Sequence, residues 1–372
     1  MMQEKKSSRL LSLDVFRGMT VAGMILVNLP GNQFVYPLIS HSIWNGCQIA
    51  DLVFPFFIYI VGISLVLSLS KQLNDGVSLN RLFVHILIRT VIIFLLGLFL
   101  NAFPHHFNVD TIRIYGVLQR IALCYFFASC AFLMCKPRSQ VFILIGLLIG
   151  YWLLMTFIPV ELYGENNLSP EGNVAAAIDR LMIGPAHLYS SAYDPEGLLS
   201  TLPAIATALL GNITGIWLLS TQDNQRKLRG MIFFGLIAAG LGWLWGLWFP
   251  INKALWTSSY VLWTGGLALN CFALCYWLIE IKHWRYWSKP FEIFGMNALL
   301  AYVLHIFCLK VQLMIQLPRM DGSPGNLRSY ITEHFFGWAS LPSASLLYAL
   351  SSVFFWLVVL TFFYKKRIII RI

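Results

Sequence analysis

Between Asn28 and Tyr59 the chain runs through His41-Ser42-Ile43-Trp44-Asn45-Gly46-Cys47-Gln48-Ile49-Ala50-Asp51-Leu52-Val53-Phe54-Pro55, a polar connection that passes straight into an apolar segment. No Lys, Arg, Asp or Glu occurs between Pro30 and Gly46, yet Asn32, Gln33, His41, Trp44 and Asn45 do. Water-facing loops are rarely so poor in charge. A histidine close to a tryptophan in such a connection points to a polar site held inside protein at a membrane boundary.

Outward from this stretch, apolar segments recur. Hydrophobic residues make up 58% of the sequence and charged ones 11%, a ratio that one soluble core does not need. A membrane-crossing helix takes about 20 mostly apolar residues. The chain offers ten such runs, at 10–29, 47–70, 82–103, 112–135, 140–158, 199–220, 229–249, 257–280, 290–317 and 341–364. The expected class is an all-α polytopic membrane protein of about ten transmembrane helices. Residues 1–372 read as a single domain, with no internal repeat and no soluble module.

The formal charge of +10 is a topology signal rather than a sign of nucleic acid. Of 26 Lys and Arg residues, seventeen fall at the ends that share a side with the N-terminus: Lys5, Lys6, Arg9, Lys71, Arg81, Lys136, Arg138, Arg226, Lys227, Arg229, Lys282, Arg285, Lys289, Lys365, Lys366, Arg367 and Arg371. Four, Arg180, Lys253, Arg319 and Arg328, fall at the other. That asymmetry predicts both termini in the cytoplasm, and the expected location is a bacterial inner membrane. Asp14 and Arg17 interrupt the first apolar run and no small-residue cleavage site follows, so it reads as a retained helix. The seven cysteines have no metal or redox spacing and read as packing residues, so no metal is expected.

Several polar residues lie inside the apolar runs. Asp14 and Arg17 share one face of the first helix, either as an ion pair that locks packing or as part of a binding site. Asn28 ends that helix, about 16 Å from Arg17 at 1.5 Å per residue. Asp51 stands about one turn into the second helix, where it either orients the His41 ring or caps the helix. Arg89 shares a helix face with His85, and Arg113 with Arg120. Four intramembrane arginines against Asp14, Asp51 and the edge residue Asp110 leave surplus positive charge. That surplus favours a phosphate-bearing ligand, unless some of the arginines snorkel or meet lipid head groups. The exterior segment after Pro159 carries Glu161, Glu165, Glu171, Asp179, Asp194 and Glu196 against Arg180, a field that attracts cations if it is not simply solvated. Trp243, Trp245 and Trp248 read as interfacial anchors, and Asn297 and His305 as bundle-facing polar residues.

The motifs Leu13-Asp14-Val15-Phe16-Arg17-Gly18, Val27-Asn28, His41-Ser42-Ile43-Trp44-Asn45-Gly46, Ala50-Asp51-Leu52-Val53-Phe54-Pro55, Gly116-Val117-Leu118-Gln119-Arg120, Tyr193-Asp194-Pro195-Glu196-Gly197, Asn252-Lys253-Ala254-Leu255-Trp256 and Gly295-Met296-Asn297 follow one another along nearly the whole chain. In these the sequence resembles the heparan-alpha-glucosaminide N-acetyltransferase family of transmembrane acetyltransferases. The resemblance implies transfer of an acetyl group from cytoplasmic acetyl-CoA to the amine of a glucosamine-type sugar across the membrane. It assigns the active-site histidine to His41 and the neighbouring asparagine to Asn28; Asp51, close enough to the His41 connection to orient the ring, is expected to complete the catalytic set. Acetyl-CoA is expected at Arg17 and Arg120, with Asp14, Arg89 and Gln119 alongside. The sugar is expected at Trp44, Asn45, Asp194, Glu196, Asn252, Lys253 and Asn297. A connection at 29–40 without the family's glycine-rich character, and no lumenal region ahead of the first helix, favour an acceptor smaller than heparan.

A pantetheine arm is about as long as four extended residues, about 15 Å, which matches the Arg17 to Asn28 separation. Phosphates held by Arg17 and Arg120 toward the cytoplasm leave the thioester near Asn28 and His41. His41 then serves as general base and Asn28 as donor to the oxygen that becomes negative, with an acetyl-histidine intermediate as the other route. The expected partners are acetyl-CoA, an amino-sugar acceptor, the lipid bilayer and, by family analogy, a second copy of the chain, with no nucleic acid. Two other classes share these features: a polytopic transporter, which moves substrate without consuming acetyl-CoA, and an O-acetyltransferase of envelope polysaccharide, which leaves a base-labile ester.

Overall fold

A computed structural model describes residues 10–104 and 107–368. Lys5, Lys6, Arg9 and Arg371 of the charge asymmetry lie outside the described residues. In chain order the helices are α1 (Leu11–Asn28), α2 (Ile49–Asn74), α3 (Leu79–Ala102), α4 (Val117–Met134), α5 (Pro137–Phe157), α6 (Val174–Met182), α7 (Thr201–Leu219), α8 (Asn224–Trp245), α9 (Ser258–Tyr276), α10 (Lys289–Met296), α11 (Ala298–Met314), α12 (Leu327–Phe336) and α13 (Leu341–Lys365). A short antiparallel hairpin, β1 (Gln316–Pro318) with β2 (Pro324–Asn326), precedes α12. Among the described residues nine helices are long and apolar enough to cross a membrane, or ten spans if α10 and α11 together make one. The protein is a polytopic all-α membrane protein.

Two expectations about the helices change. The run at 290–317 is broken, and the chain bends by 81° between α10 and α11. Asn297 at the break leaves helical geometry, with φ −125 and ψ 45, and its Nδ2 donates to the Ile368 carbonyl at 3.1 Å. The run at 112–135 starts late, because residues 112–116 are not helical and α4 begins only after Gly116. Arg113 and Arg120 therefore do not share a helix face.

The helices pack around α2, which buries Ile58, Leu65 and Val66 in the core it shares with α4, α7 and α9. Its crossing with α7 is backbone to backbone. A Cβ on Gly62 would stand 2.1 Å from the Ala208 carbonyl oxygen, and one on Gly211 would stand 2.1 Å from that of Tyr59. Small residues give membrane helices this close approach, where dispersion replaces the missing hydrophobic drive. Exposed apolar side chains such as Phe83, Ile88 and Leu95 of α3, Phe233 and Leu236 of α8, and Phe354 and Phe362 of α13 form the lipid-facing side.

The connections gather at two ends. At one, Gly46 N–H donates to Ile251 O at 2.7 Å, Trp44 Nε1 to Leu168 O at 2.9 Å, Ile114 N–H to His187 O at 3.2 Å and Thr332 Oγ1 to Gly31 O at 3.1 Å. This is the His41 end. The described lysines and arginines of the larger charge group sit at the opposite end, which also holds Arg17.

Candidate active site

The site starts from the first turn of α2. Gln48 and Asp51 form a reciprocal capping box, in which Asp51 Oδ2 accepts the Gln48 N–H at 3.0 Å. The same oxygen takes the Ser42 N–H at 3.0 Å and the Ser42 hydroxyl at 2.9 Å. The other oxygen, Oδ1, lies 2.7 Å from His41 Nδ1 and 3.3 Å from Lys253 Nζ. Asp51 thus caps its helix and holds the histidine at once. Four residues further on, Pro55 has no N–H to offer the Asp51 carbonyl, and Tyr260 fills the gap by donating its hydroxyl to that oxygen at 2.6 Å. Side chain and main chain of Asp51 are fixed from opposite sides, and the residue is fully buried.

An acceptor-only carboxylate at 2.7 Å assigns the imidazole proton to Nδ1. The lone pair is then on Nε2, the form that a general base needs. The imidazole itself is not enclosed, since 47% of its side chain is exposed. Around it Phe34, Tyr36, Leu38, Ile43 and Asn45 are also exposed. The connection that reads as interior polar structure is instead an outward-facing strap. It is pinned at points such as Asn32 Nδ2 to Leu341 O at 2.9 Å, and its lack of charge goes with apolar side chains turned outward.

Behind the imidazole lies a cavity of about 220 Å³. Met24, Val27 and Asn28 of α1, Ala50, Val53, Phe54 and Phe57 of α2, and Val117, Leu118 and Ile121 of α4 line it at helical spacings that put each set on one face. Leu299 and Tyr302 of α11 complete the wall, and its polar members are Asn28, His41, Glu196 and Lys253. Leu299 and Tyr302 were invisible to motif reasoning, because nothing local marks an apolar residue on one helix as facing another.

Glu196 reaches the cavity because an ionic knot holds it there. Arg113 donates through Nε and Nη2 to the two Asp194 oxygens at 2.9 and 2.7 Å, and through Nη2 to Glu196 at 2.5 Å. Asp194 also accepts the Tyr189 and Glu196 amides, each at 2.9 Å, and is buried. Burial alone would lower the Arg113 guanidinium, but the two carboxylates outweigh it and raise it. Asp194 is thus spent on structure. Nearby, burial pushes the Asp179 carboxyl up to about 7, against the Leu198 N–H bond that favours its anion. Asn252 is also structural: its amide donates to Asn45 Oδ1 at 3.0 Å and its oxygen takes the Leu255 N–H at 2.9 Å. Trp44 packs edge-on to Tyr193 with ring centroids 5.2 Å apart.

The residues expected at the phosphates do not converge. Arg17 pairs with Asp14 at 2.9 Å and also donates to Ser64 Oγ at 2.8 Å and Gly295 O at 3.3 Å. Arg120 is at the other end of the bundle, because α4 enters from the His41 side. It is fully buried, bonds to Gly197 O at 3.2 Å and to Ser200 Oγ, and lies over the Trp256 ring at 5.0 Å. Arg89 is exposed and stacks on Tyr125 at 4.8 Å. Gln119 is buried between α3 and α4, against Gly97 and Gly116. Asn297, expected with the sugar residues, stands instead at the Arg17 end. The surplus of arginines therefore does not make one anion site, since Arg113 is neutralised by acids far along the chain. Lys310, which carried no motif signal, closes the end of α3 by donating to Leu100 O and Phe103 O, each at 2.6 Å.

Comparison with known proteins gives the chain its relatives. Residues 9–243 match the family model described as heparan-alpha-glucosaminide N-acetyltransferase, catalytic. The human heparan-alpha-glucosaminide N-acetyltransferase is 33% identical over 357 residues, covering 80% of this chain and 52% of its own. The mouse protein of the same name is 32% identical over 368 residues, covering 82% and 54%. The chain spans about half the length of these curated relatives. With the matched region running from the start of α1 to the end of α8 and including His41 and Asp51, the chain belongs to the heparan-alpha-glucosaminide N-acetyltransferase family.

Proposed function

We propose that the protein is a transmembrane N-acetyltransferase that moves an acetyl group from acetyl-CoA, supplied at the cytoplasmic end, to the amine of a glucosamine-type sugar at the His41 end. The observation that carries this reading is the Asp51–His41 pair on the wall of a cavity whose other walls are mostly apolar, in a chain of this family. The basic residues at the Arg17 end support a cytoplasmic assignment of that end.

The residues suit a thioester tail better than they suit its nucleotide. The apolar faces of α1, α2, α4 and α11 give the acetyl end a mostly apolar place in the cavity, while Arg17 stands at the opposite end. Acetyl-CoA supplies the activated acyl group. In the chain, His41 Nε2 takes a proton that the sugar ammonium loses as its nitrogen attacks; as the carbonyl–sulfur bond breaks, one of the two protons lost by nitrogen ends on the departing sulfur and the other goes to solvent. Asp51 holds the ring in the required tautomer and balances the imidazolium. Asn28, also on the wall, donates to the carbonyl oxygen as it becomes negative. Glu196 attracts the incoming ammonium, and Trp44, packed edge-on to Tyr193, offers an aromatic wall to the sugar. Cys47 is no competing nucleophile: burial, with the Asp51 charge adding to it, pushes its thiol up to about 12.

The test is incubation of the purified protein in lipid with labelled acetyl-CoA and a panel of amino sugars. An alkali-stable acetamide, lost in His41→Ala, is the expected product. Sugar uptake without consumption of acetyl-CoA would indicate a transporter, and an alkali-labile ester an O-acetyltransferase. Either result overturns the reading.

A further inference from the structure

Lys253 presents a primary amine, the same functional group as the proposed acceptor, on the wall of the cavity that holds the imidazole. Its Nζ lies 3.0 Å from His41 Nδ1 and 3.3 Å from Asp51 Oδ1. The main chain that delivers it is fixed. Asn252 is fully buried, donates its main-chain N–H to Thr257 Oγ1 at 3.0 Å, and commits its side chain to Asn45 and Leu255. Lys253 is 24% exposed, enough to move. Other lysines are placed differently. Lys310 is engaged by two carbonyls, Lys227 by the Leu218 carbonyl at 2.7 Å, and Lys71, Lys289 and Lys365 stand at the far end.

We propose that Lys253 is a self-acetylation site, modified from the bound acetyl donor when no sugar occupies the acceptor position. The inference rests on the acetyltransferase reading above. The Nζ–carbonyl bond forms as the carbonyl–sulfur bond breaks. Of the two protons that Nζ gives up, one leaves with the thiol and the other passes by way of water to His41 Nε2, the ring nitrogen that carries the lone pair, and on to solvent. The product is an uncharged amide. It can no longer pair with Asp51, and it adds bulk beside His41 in a cavity of about 220 Å³. Modified protein is therefore inactive, and the sugar protects it by taking the acetyl group first. Excess donor without acceptor switches the protein off.

The experiment is peptide mass mapping of wild type, Lys253→Arg and His41→Ala after incubation with isotope-labelled acetyl-CoA, with and without glucosamine. Labelled acetyl is expected on the wild-type Lys253 peptide at least tenfold above the peptides of Lys71, Lys289 and Lys365. Glucosamine and the His41→Ala change should each suppress it. No label on Lys253, or equal label on all lysines and in His41→Ala, overturns the proposal. Sugar acetylation followed in the same tubes separates the two readings. If glucosamine is acetylated and Lys253 is not, only this inference falls. If Lys253 is labelled and no sugar is, the inference stands and the sugar-acetylating function falls.

Discussion

Replacing Asp51 with Asn removes one charge and exchanges one acceptor for a donor, and the structure determines how that is felt. Oδ2 receives three donors, from Ser42 N–H, Ser42 Oγ and Gln48 N–H, whereas Oδ1 faces His41 Nδ1 and Lys253. The amide oxygen therefore stays on the Ser42 side and its NH2 turns to the imidazole. Nδ1 must then accept, the proton moves to Nε2, and the base is lost although the ring stays in place. By analogy with the carboxylate of a serine-protease triad, kcat should fall about 10³–10⁴-fold, or about 4–5.5 kcal/mol. Stability should fall less, by about 1–3 kcal/mol, because the capping bonds persist while Lys253 loses its partner. The assay is the initial rate of acetyl transfer from labelled acetyl-CoA to glucosamine, alongside thermal unfolding in the same lipid. An Asp51→Asn protein that folds and keeps more than a tenth of wild-type kcat would refute the tautomer argument. The double variant with His41→Ala should be no slower than His41→Ala alone, since the two act as a unit.

Three further outcomes follow from the geometry. Arg113→Met strands Asp194 and Glu196 and should cost about 3 kcal/mol of stability, read as a lower unfolding temperature; adding Asp194→Asn and Glu196→Gln should recover much of it. Asp179 holds its proton more tightly folded, at about 7, than unfolded, so its contribution is complete below the ordinary carboxyl range and is lost as pH rises toward 7. Asp179→Asn should accordingly be more stable than wild type at pH 8, by up to about 4 kcal/mol and seen as a higher unfolding temperature, and match it near pH 4. Ile121→Trp fills the cavity from α4 and should raise KM for acetyl-CoA on the order of tenfold with little change in unfolding temperature. An unchanged KM would place the acetyl end elsewhere.

The spans were legible because hydropathy over about 20 residues is a one-dimensional property. So were His41 and Asp51, whose spacing across a helix start brings them together whatever the bundle does. The break at Asn297 escaped notice because the apolar run continues through it, and hydropathy has no term for backbone direction. Arg120 is expected with Arg17 at the phosphates, although its place one turn into a helix that starts at the His41 end already sets it on the other side. Gln48 and Asp51 do not spell the usual Ser/Thr-x-x-Glu/Gln helix start, so the sequence does not announce the cap that Asp51 makes. The Arg113 knot could not be read, since Asp194 is 81 residues away and only the fold brings it near.

The half-open imidazole has a kinetic corollary. Solvent reaches the same nitrogen that is to deprotonate the sugar, so in an idle site a water molecule can be activated in its place, releasing acetate and wasting the thioester. Faithful transfer then depends on the sugar ring itself acting as the stopper. The ratio of acetate released to sugar acetylated should fall as the sugar concentration rises.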